Sequence, residues 1–347
     1  MIKIKKPTEK NLRVAAKAIR EGKIVVFPTE TVYGIGANAF DEKAAKRIFE
    51  IKGRNRDNPL IVHVASIEMA KEIADIPKEY IDIVKKMWPS PLTLILKSKG
   101  RVARAVAAGL DTVAVRMPDN KVALELIKES GVPIAAPSAN VSKKPSSTSA
   151  QHVLSYFDGK VDVIIDSGRS RYGIESTVLD LEEFKILRPG AFTSEDIEEA
   201  FGRKPSIESE EVEKPKSPGT KYRHYSPNTP LFLSDMSDDE LATLFKSLKK
   251  EYKIGFIGSS ESCRKIDRSA KYRINLGKRE DLYSIASKLF DALIQIDQKN
   301  VDFAIIEKFE ERRIGIAIMN RIRKAANYKK FSSEKELVRL VNDMVEC

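Results

Sequence analysis

Cysteine and histidine are scarce in this sequence. Its 347 residues contain two cysteines, Cys263 and Cys347, and three histidines, His63, His152 and His224. No Cys-x-x-Cys spacing occurs and the histidines stand far apart. That excludes a disulfide framework and argues against structural zinc. No apolar run approaches the ~20 residues that cross a bilayer. The opening stretch MIKIKKPTEKNL has no apolar centre and no cleavage site, so no secretory leader is expected and the chain is expected in the cytoplasm, away from membranes. No G-x-x-x-x-G-K-[ST] is present, which excludes a P-loop, and the G-x-G of YGIGAN lacks the third glycine and spaced acid of a dinucleotide fingerprint. There is no carboxylate cluster for a protein-held metal pair and no Ser-His-Asp elbow, so no protein metal site is expected.

What is present describes a globular protein. Hydrophobic residues make up 42%, charged residues 32%, and glycine and proline number an ordinary 17 and 16. A single core rarely outgrows about 250–300 residues, so two domains are expected. The net charge is +11, which favours nucleic acid, nucleotide or acidic partners. The basic residues are scattered, however, and a solvated lysine-rich surface accounts for them equally well.

Strand and helix patterns interleave over roughly 1–200. A helix is expected from Thr8, as cap, to Glu21, with Gly22 ending it. DEKAAKRIFEIKG reads as a helix capped by Asp41 and closed by Gly53. Further helices are SIEMAKEIADI, YIDIVKKMWP and ALELIKES. Strands are expected at 23–28, 60–64, 92–97, TVAVRMP, VPIAAPSAN and 161–168, with STVLDL and FKILRPG as a closing hairpin. This predicts an α/β domain with a twisted, mixed sheet over 1–201. Residues 202–230 are rich in Pro, Lys and Glu and lack any sustained period, the mark of a linker or functional loop, although Tyr222, His224 and Tyr225 are unlike linker residues. A second alternation over 231–347, with strands near 231–234, 252–258 and 301–307 and helices around 238–250, 280–298 and 314–326, predicts a smaller Rossmann-like α/β domain.

Four segments of the first domain carry small, polar or charged residues where a core would have Val and Ile. They are FPTETVYG, the stretch from Lys52 to His63, DTVAVRMP and AAPSANVS. Residues two apart on a strand share a face. Thr112, Ala114 and Arg116 would lie together, as would Ala136, Ser138 and Asn140, and Thr29, Thr31 and Tyr33, while His63 would lie with Ile61. If the strands are neighbours, these faces line one hollow, and buried polar groups need partners. Arg116 suits a carboxylate or phosphate, or equally a salt bridge to a nearby acid. Lys52 and Arg54 could engage a polyphosphate or merely complement a helix dipole. His63 is either a hydrogen-bonded core histidine or a site residue, and Arg188 adds a cation at a strand end.

Read together, FPTETVYGIGANA, KGRNRDNPLIVHV, MWPSPLTLIL, GLDTVAVRMPD, PIAAPSANVSKKPSST, IDSGRSRYGIESTVLDL and ILRPGA resemble the YrdC-like family of L-threonylcarbamoyladenylate synthases. The pairing of Lys52 and Arg54 with Ser138 and Asn140 is that family's hallmark. SPGTKYRHYSP (217–227) and GIAIMNRIRKAA (315–326) resemble its long, two-domain form. Ser90, Lys143 and Ser147 depart from the family's usual Gly, Gly and Pro.

The resemblance implies that L-threonine, bicarbonate and ATP give threonylcarbamoyl-AMP and pyrophosphate, the first step of threonylcarbamoyladenosine formation in tRNA, with a separate transferase complex taking the product. It also implies roles. Lys52, Arg54, Ser138 and Asn140 would be catalytic. Thr31, His63, Arg116, Ala136 and Ser176 would hold threonine. Arg54, Asn58, Thr112, Ser138, Ser146, Arg188 and Tyr225 would hold ATP, with Tyr225 and its segment acting as a lid. Mg²⁺ would be carried mainly by the ATP phosphates. Weak RNA contact is a further expectation. The rival from another class is a double-stranded-RNA-binding module without catalysis, which would need cations fringing the hollow but little of Thr31, His63 or Ser176.

Overall fold

The structure is a computed structural model that describes residues 3–208, 225–266 and 269–345. Local signals set its helix ends. The Thr8 hydroxyl accepts from the amide of Asn11 and starts the helix Glu9–Arg20. Asp41 accepts from the amides of Lys43 and Ala44 at the start of Glu42–Lys52, and Gly53 closes that helix in a left-handed conformation, φ 59°. These are the residue types expected at such ends. The placement of Gly53 turns the chain immediately after Lys52 and sends Arg54 into the following loop.

The chain divides into two compact units, Met1–Ser142 with Ser146–Tyr222, and Lys143–Pro145 with Arg223–Cys347. In the first, eleven strands follow one path: Lys3–Lys5, Val163–Ile165, Val25–Phe27, Gly34–Asn38, Ile134–Ala135, Ile61–His63, Thr112–Arg116, Leu92–Ser98, Thr177–Asp180, Lys185–Arg188 and Ser206–Ile207, with Ala74–Asp75 pairing beside Leu92–Ser98. Parallel and antiparallel pairs are mixed, as expected, and Thr177–Asp180 and Lys185–Arg188 form the antiparallel hairpin. Ser206–Ile207 continues the sheet beyond residue 201. Leu60, Val62, Val64, Leu92, Leu94, Leu96, Val113 and Val115 point to one side of the sheet and join the main core with Ile48, Phe49 and Trp88. Burying such side chains contributes roughly 1.5–3 kcal/mol each. The same period of two leaves the alternate residues for the other face.

Two of the expected strands differ. PTETVYG is a turn: Thr29 Oγ1 accepts from the amides of Thr31 and Val32 and donates to the carbonyl of Val32. The strand begins only at Gly34. Thr29, Thr31 and Tyr33 therefore share no strand face, and the Tyr33 hydroxyl donates to the carbonyl of Gly168 at 2.6 Å. VPIAAPSAN is strand only at Ile134–Ala135. Pro137 has no amide to continue a ladder, although its carbonyl still accepts from Ile35 at 3.0 Å. A single bridge, Gly34 to Ser138, continues the contact.

The second unit has a parallel sheet in the order Tyr272–Asn275, Ile254–Gly258, Phe303–Ile306, Leu231–Ser234, Lys330–Phe331. Its alternating strands and helices are Rossmann-like, but the fourth strand in chain order lies between the first two, unlike the 3-2-1-4-5-6 order of dinucleotide-binding sheets. Phe232, Phe245, Phe256 and Phe303 lie in its core. The two outer strands escaped the sequence reading because edge strands are short and half exposed. No helix among the described residues is long and apolar enough to cross a membrane.

Candidate functional site

On the sheet face turned away from the main core, His63 pairs with Arg116, Arg116 with Thr93, Thr93 with Val178, and Val178 with Arg188. Residues directly opposite across a ladder project to the same side. A row of four polar side chains, interrupted by the apolar Val178, thus crosses five strands drawn from distant parts of the chain. Val178 packs with Ile61, Ala114, Ile95 and Leu187 in a small apolar cluster on this face. The expected pairing of Ala114 with Arg116 on one face, and of His63 with Ile61, holds.

Arg116 is 3% exposed. Its Nη1 donates to Thr31 Oγ1 at 2.9 Å, and its Nη2 lies 2.5 Å from Glu30 Oε1 in an ion pair. That pair is close but poorly aligned, so neither atom gains a directed hydrogen bond, and Glu30 Oε2 and Arg116 Nε have no protein partner. The salt bridge was one of the two readings of Arg116, but Glu30 itself was not singled out. Its signal was present: it is the one charged residue between Lys23 and Asp41. His63, beside Arg116, is held neutral, its pKa lowered to about 3 by burial and then by the Arg116 charge. Its Nδ1 has no partner, and its ring meets the edge of Phe27.

Ser176 lies at the end of the same row. Its hydroxyl is 2.8 Å from Thr93 Oγ1, and Arg188 donates to the Ser176 carbonyl from Nε and Nη2 at 3.2 and 2.8 Å. Gly190 permits this approach, because a Cβ there would sit 2.3 Å from the Ser176 carbonyl carbon and the Thr177 nitrogen. Ala136 is buried, and its amide donates to Ile61 at 2.8 Å.

The second group gathers around the helix end at Lys52. Buried to 2% exposure, Lys52 donates from Nζ to the carbonyls of Ser138 and Asn140, both at 2.5 Å. Its own carbonyl accepts from Ser142 at 2.8 Å. Burial holds its pKa well below the usual lysine range, the Arg54 charge adds to this, and Glu175 opposes it. The Ser138 hydroxyl donates to Asn140 Oδ1 at 2.6 Å. Arg54 donates to the carbonyls of Asn58 and Pro59, while the buried Asn58 Oδ1 has no partner. Ser146 donates to Glu175 Oε1 at 2.6 Å. The Ser147 hydroxyl donates to the carbonyl of Ala139 and so ties the two ends of this loop together. Thr112 is half-buried, in line with Ala114 and Arg116.

Lys52, Arg54, Ser138, Asn140 and Ser146 thus form one group, joined through Glu175 to the sequence neighbour Ser176 of the other. Tyr225 is described within the second unit. There it has φ 65°, is buried, packs on Phe290 at 5.1 Å and lies under Arg321. Tyr222, His224 and most of the segment expected to form a lid lie outside the described residues. Among the described residues no three His, Cys, Asp or Glu side chains gather as for a metal ion.

Buried polar atoms almost always have partners. Here Glu30, Asn58, His63 and Arg116 all carry buried atoms without one, and such a concentration marks a seat for a polar ligand. Fold and site together define a YrdC-like α/β domain followed by a Rossmann-like one. A family model described as "Telomere recombination" matches residues 17–190. Another, described as "Threonylcarbamoyl-AMP synthase, C-terminal domain", matches residues 192–327. Threonylcarbamoyl-AMP synthase of Pyrococcus abyssi (strain GE5 / Orsay) is 46% identical over 332 residues, covering 92% of this chain and 95% of that protein. The Bacillus subtilis (strain 168) protein of the same name is 44% identical over 319 residues, covering 90% and 92%. The crystal structure of P. abyssi Sua5 with L-threonine matches with a TM-score of 0.88 and 45% identity, covering 96% of this chain and 98% of that one. The chain belongs to the threonylcarbamoyl-AMP synthase family, in its two-domain Sua5 form.

Proposed function

We propose that this protein converts L-threonine, bicarbonate and ATP into threonylcarbamoyl-AMP and pyrophosphate. The observation that carries this reading is the buried row of His63, Arg116 and Thr93 with unpartnered polar atoms beside the cationic group at Lys52, in a chain of the threonylcarbamoyl-AMP synthase family. One half offers an amino-acid seat and the other a phosphate seat.

In this reading Arg116 takes the threonine carboxylate through its remaining donors, with Thr31, His63, Ala136 and Ser176 around the rest of the molecule. Neutral His63 can donate from one ring nitrogen and accept at the other. Arg54, Asn58, Thr112, Ser138, Ser146 and Arg188 hold ATP. Lys52 and Asn140 fix the loop that carries Ser138, and the Lys52 charge faces the phosphates. The threonine ammonium gives up a proton. The amine nitrogen then bonds to the carbon of CO₂, losing a second proton to solvent, or to that of bicarbonate, from which water leaves; either way a carbamate results. A carbamate oxygen then attacks the α-phosphorus, the bond to the bridging oxygen breaks, and pyrophosphate leaves. No strong nucleophile stands among these residues, so catalysis comes from positioning and charge neutralisation. Mg²⁺ would be brought in with ATP, carried mainly by the phosphates with few protein ligands, and would supply neutralisation of phosphate charge. The product passes to a separate complex that modifies tRNA.

The test is mass spectrometry of a reaction with ATP, Mg²⁺, bicarbonate and L-threonine, with L-serine as the control. Threonylcarbamoyl adenylate should appear with threonine. Its absence, or ATP–pyrophosphate exchange that needs no threonine, would remove the reading.

A further inference from the structure

Glu30 has no role in the assignment above, yet its side chain is 2% exposed and one oxygen touches Arg116. The arginine expected to hold a ligand carboxylate already faces a carboxylate. Both side chains lie in the same buried site, and Glu30 Oε2 and Arg116 Nε have no protein partner. The guanidinium therefore has donors left for a second carboxylate without releasing the first. The charge balance of the seat follows from its members: Arg116 contributes one positive charge, Glu30 one negative charge, and neutral His63 none. A ligand bearing only a carboxylate would bring an uncompensated negative charge close to Glu30, and like charges brought together in a buried site are strongly disfavoured. An α-amino acid carries an ammonium on the carbon next to its carboxylate, so it enters with no net charge and answers both members of the pair.

We propose that Glu30 is a specificity-determining residue that makes this seat select an amino-acid zwitterion over a carboxylate lacking the ammonium. Selectivity here comes from repulsion built against the wrong ligand as much as from attraction to the right one. The proposal rests on the reading that Arg116 takes the carboxylate of threonine. It differs from a purely structural role in a definite way. A residue that only props Arg116 would, when changed, weaken every carboxylate ligand alike.

The test is calorimetric titration of the full chain with L-threonine and with 3-hydroxybutyrate, which is threonine without its amino group. The parent protein should bind threonine and discriminate strongly against 3-hydroxybutyrate. Glu30→Gln should narrow that gap by about ten-fold or more, weakening threonine while strengthening 3-hydroxybutyrate. Glu30→Asp, which keeps the charge, should keep the gap, and this variant decides the matter if Glu30→Gln does not fold. Parallel weakening of both ligands in Glu30→Gln, an unchanged gap in it, or loss of the gap in Glu30→Asp would overturn the proposal. A parent protein that binds neither ligand, or prefers 3-hydroxybutyrate, would overturn the amino-acid reading of the seat and the Glu30 assignment with it.

Discussion

His63 and Arg116 occupy the same rung of two neighbouring parallel strands, a neutral imidazole beside a buried guanidinium. The lowered pKa of His63, about 3, is a statement about stability as well as charge. The unfolded chain takes up a proton near pH 6.5, whereas the folded one does not until about pH 3. Between these values the unfolded state binds more protons, so folding weakens as pH falls. From this group alone, lowering the pH from 7 to 5 should cost about 2 kcal/mol. Urea unfolding of the parent and of His63→Gln at the two pH values checks this; an equal pH response in both would remove His63 as the cause.

Arg116 should be indispensable to both activity and packing. Arg116→Ala leaves Glu30 as an uncompensated buried charge, which should lower stability by about 3–5 kcal/mol and turnover per threonine by about 100-fold or more. Removing both charges together, with Arg116→Met and Glu30→Gln, should restore most of the stability and none of the activity. Chemical denaturation and adenylate formation, measured side by side, separate the two effects.

Lys52 should act through the loop it holds. In Lys52→Met the carbonyls of Ser138 and Asn140 lose their donor, at a cost of about 1–3 kcal/mol. Amide exchange across 138–142 should accelerate, including at Ser142, whose amide is bonded to the Lys52 carbonyl. The rate at limiting ATP should fall about ten-fold or more. Lost activity without faster exchange would mean that Lys52 serves the phosphates alone.

Gly190 should tolerate no side chain. A methyl group there would collide with the backbone of Ser176 and Thr177 at 2.3 Å, and backbone cannot move aside as a flexible side chain can. Gly190→Ala should destabilise the first unit by about 3 kcal/mol or more, read from its thermal or urea midpoint. A parental midpoint would show that the approach of the two segments is looser than described.

The sequence by itself determined the local parts. Caps such as Thr8 and Asp41, the stop at Gly53 and the period of two in TVAVR depend on neighbours along the chain, and all of them are found where the residue types put them. The two-domain alternation was legible for the same reason. The turn at Thr29–Tyr33 was not, because its residues favour a strand and only the Thr29 hydroxyl, bonding locally, draws the backbone aside. Nor could spacing alone decide between a salt bridge and a ligand for Arg116. Which residues share a rung is fixed by strand order, and strand order is set by packing between segments far apart in the chain. That packing brought Thr93 opposite Arg116, put Arg188 on Ser176 and placed Glu30, a lone charge in its stretch of sequence, against the arginine whose charge it balances.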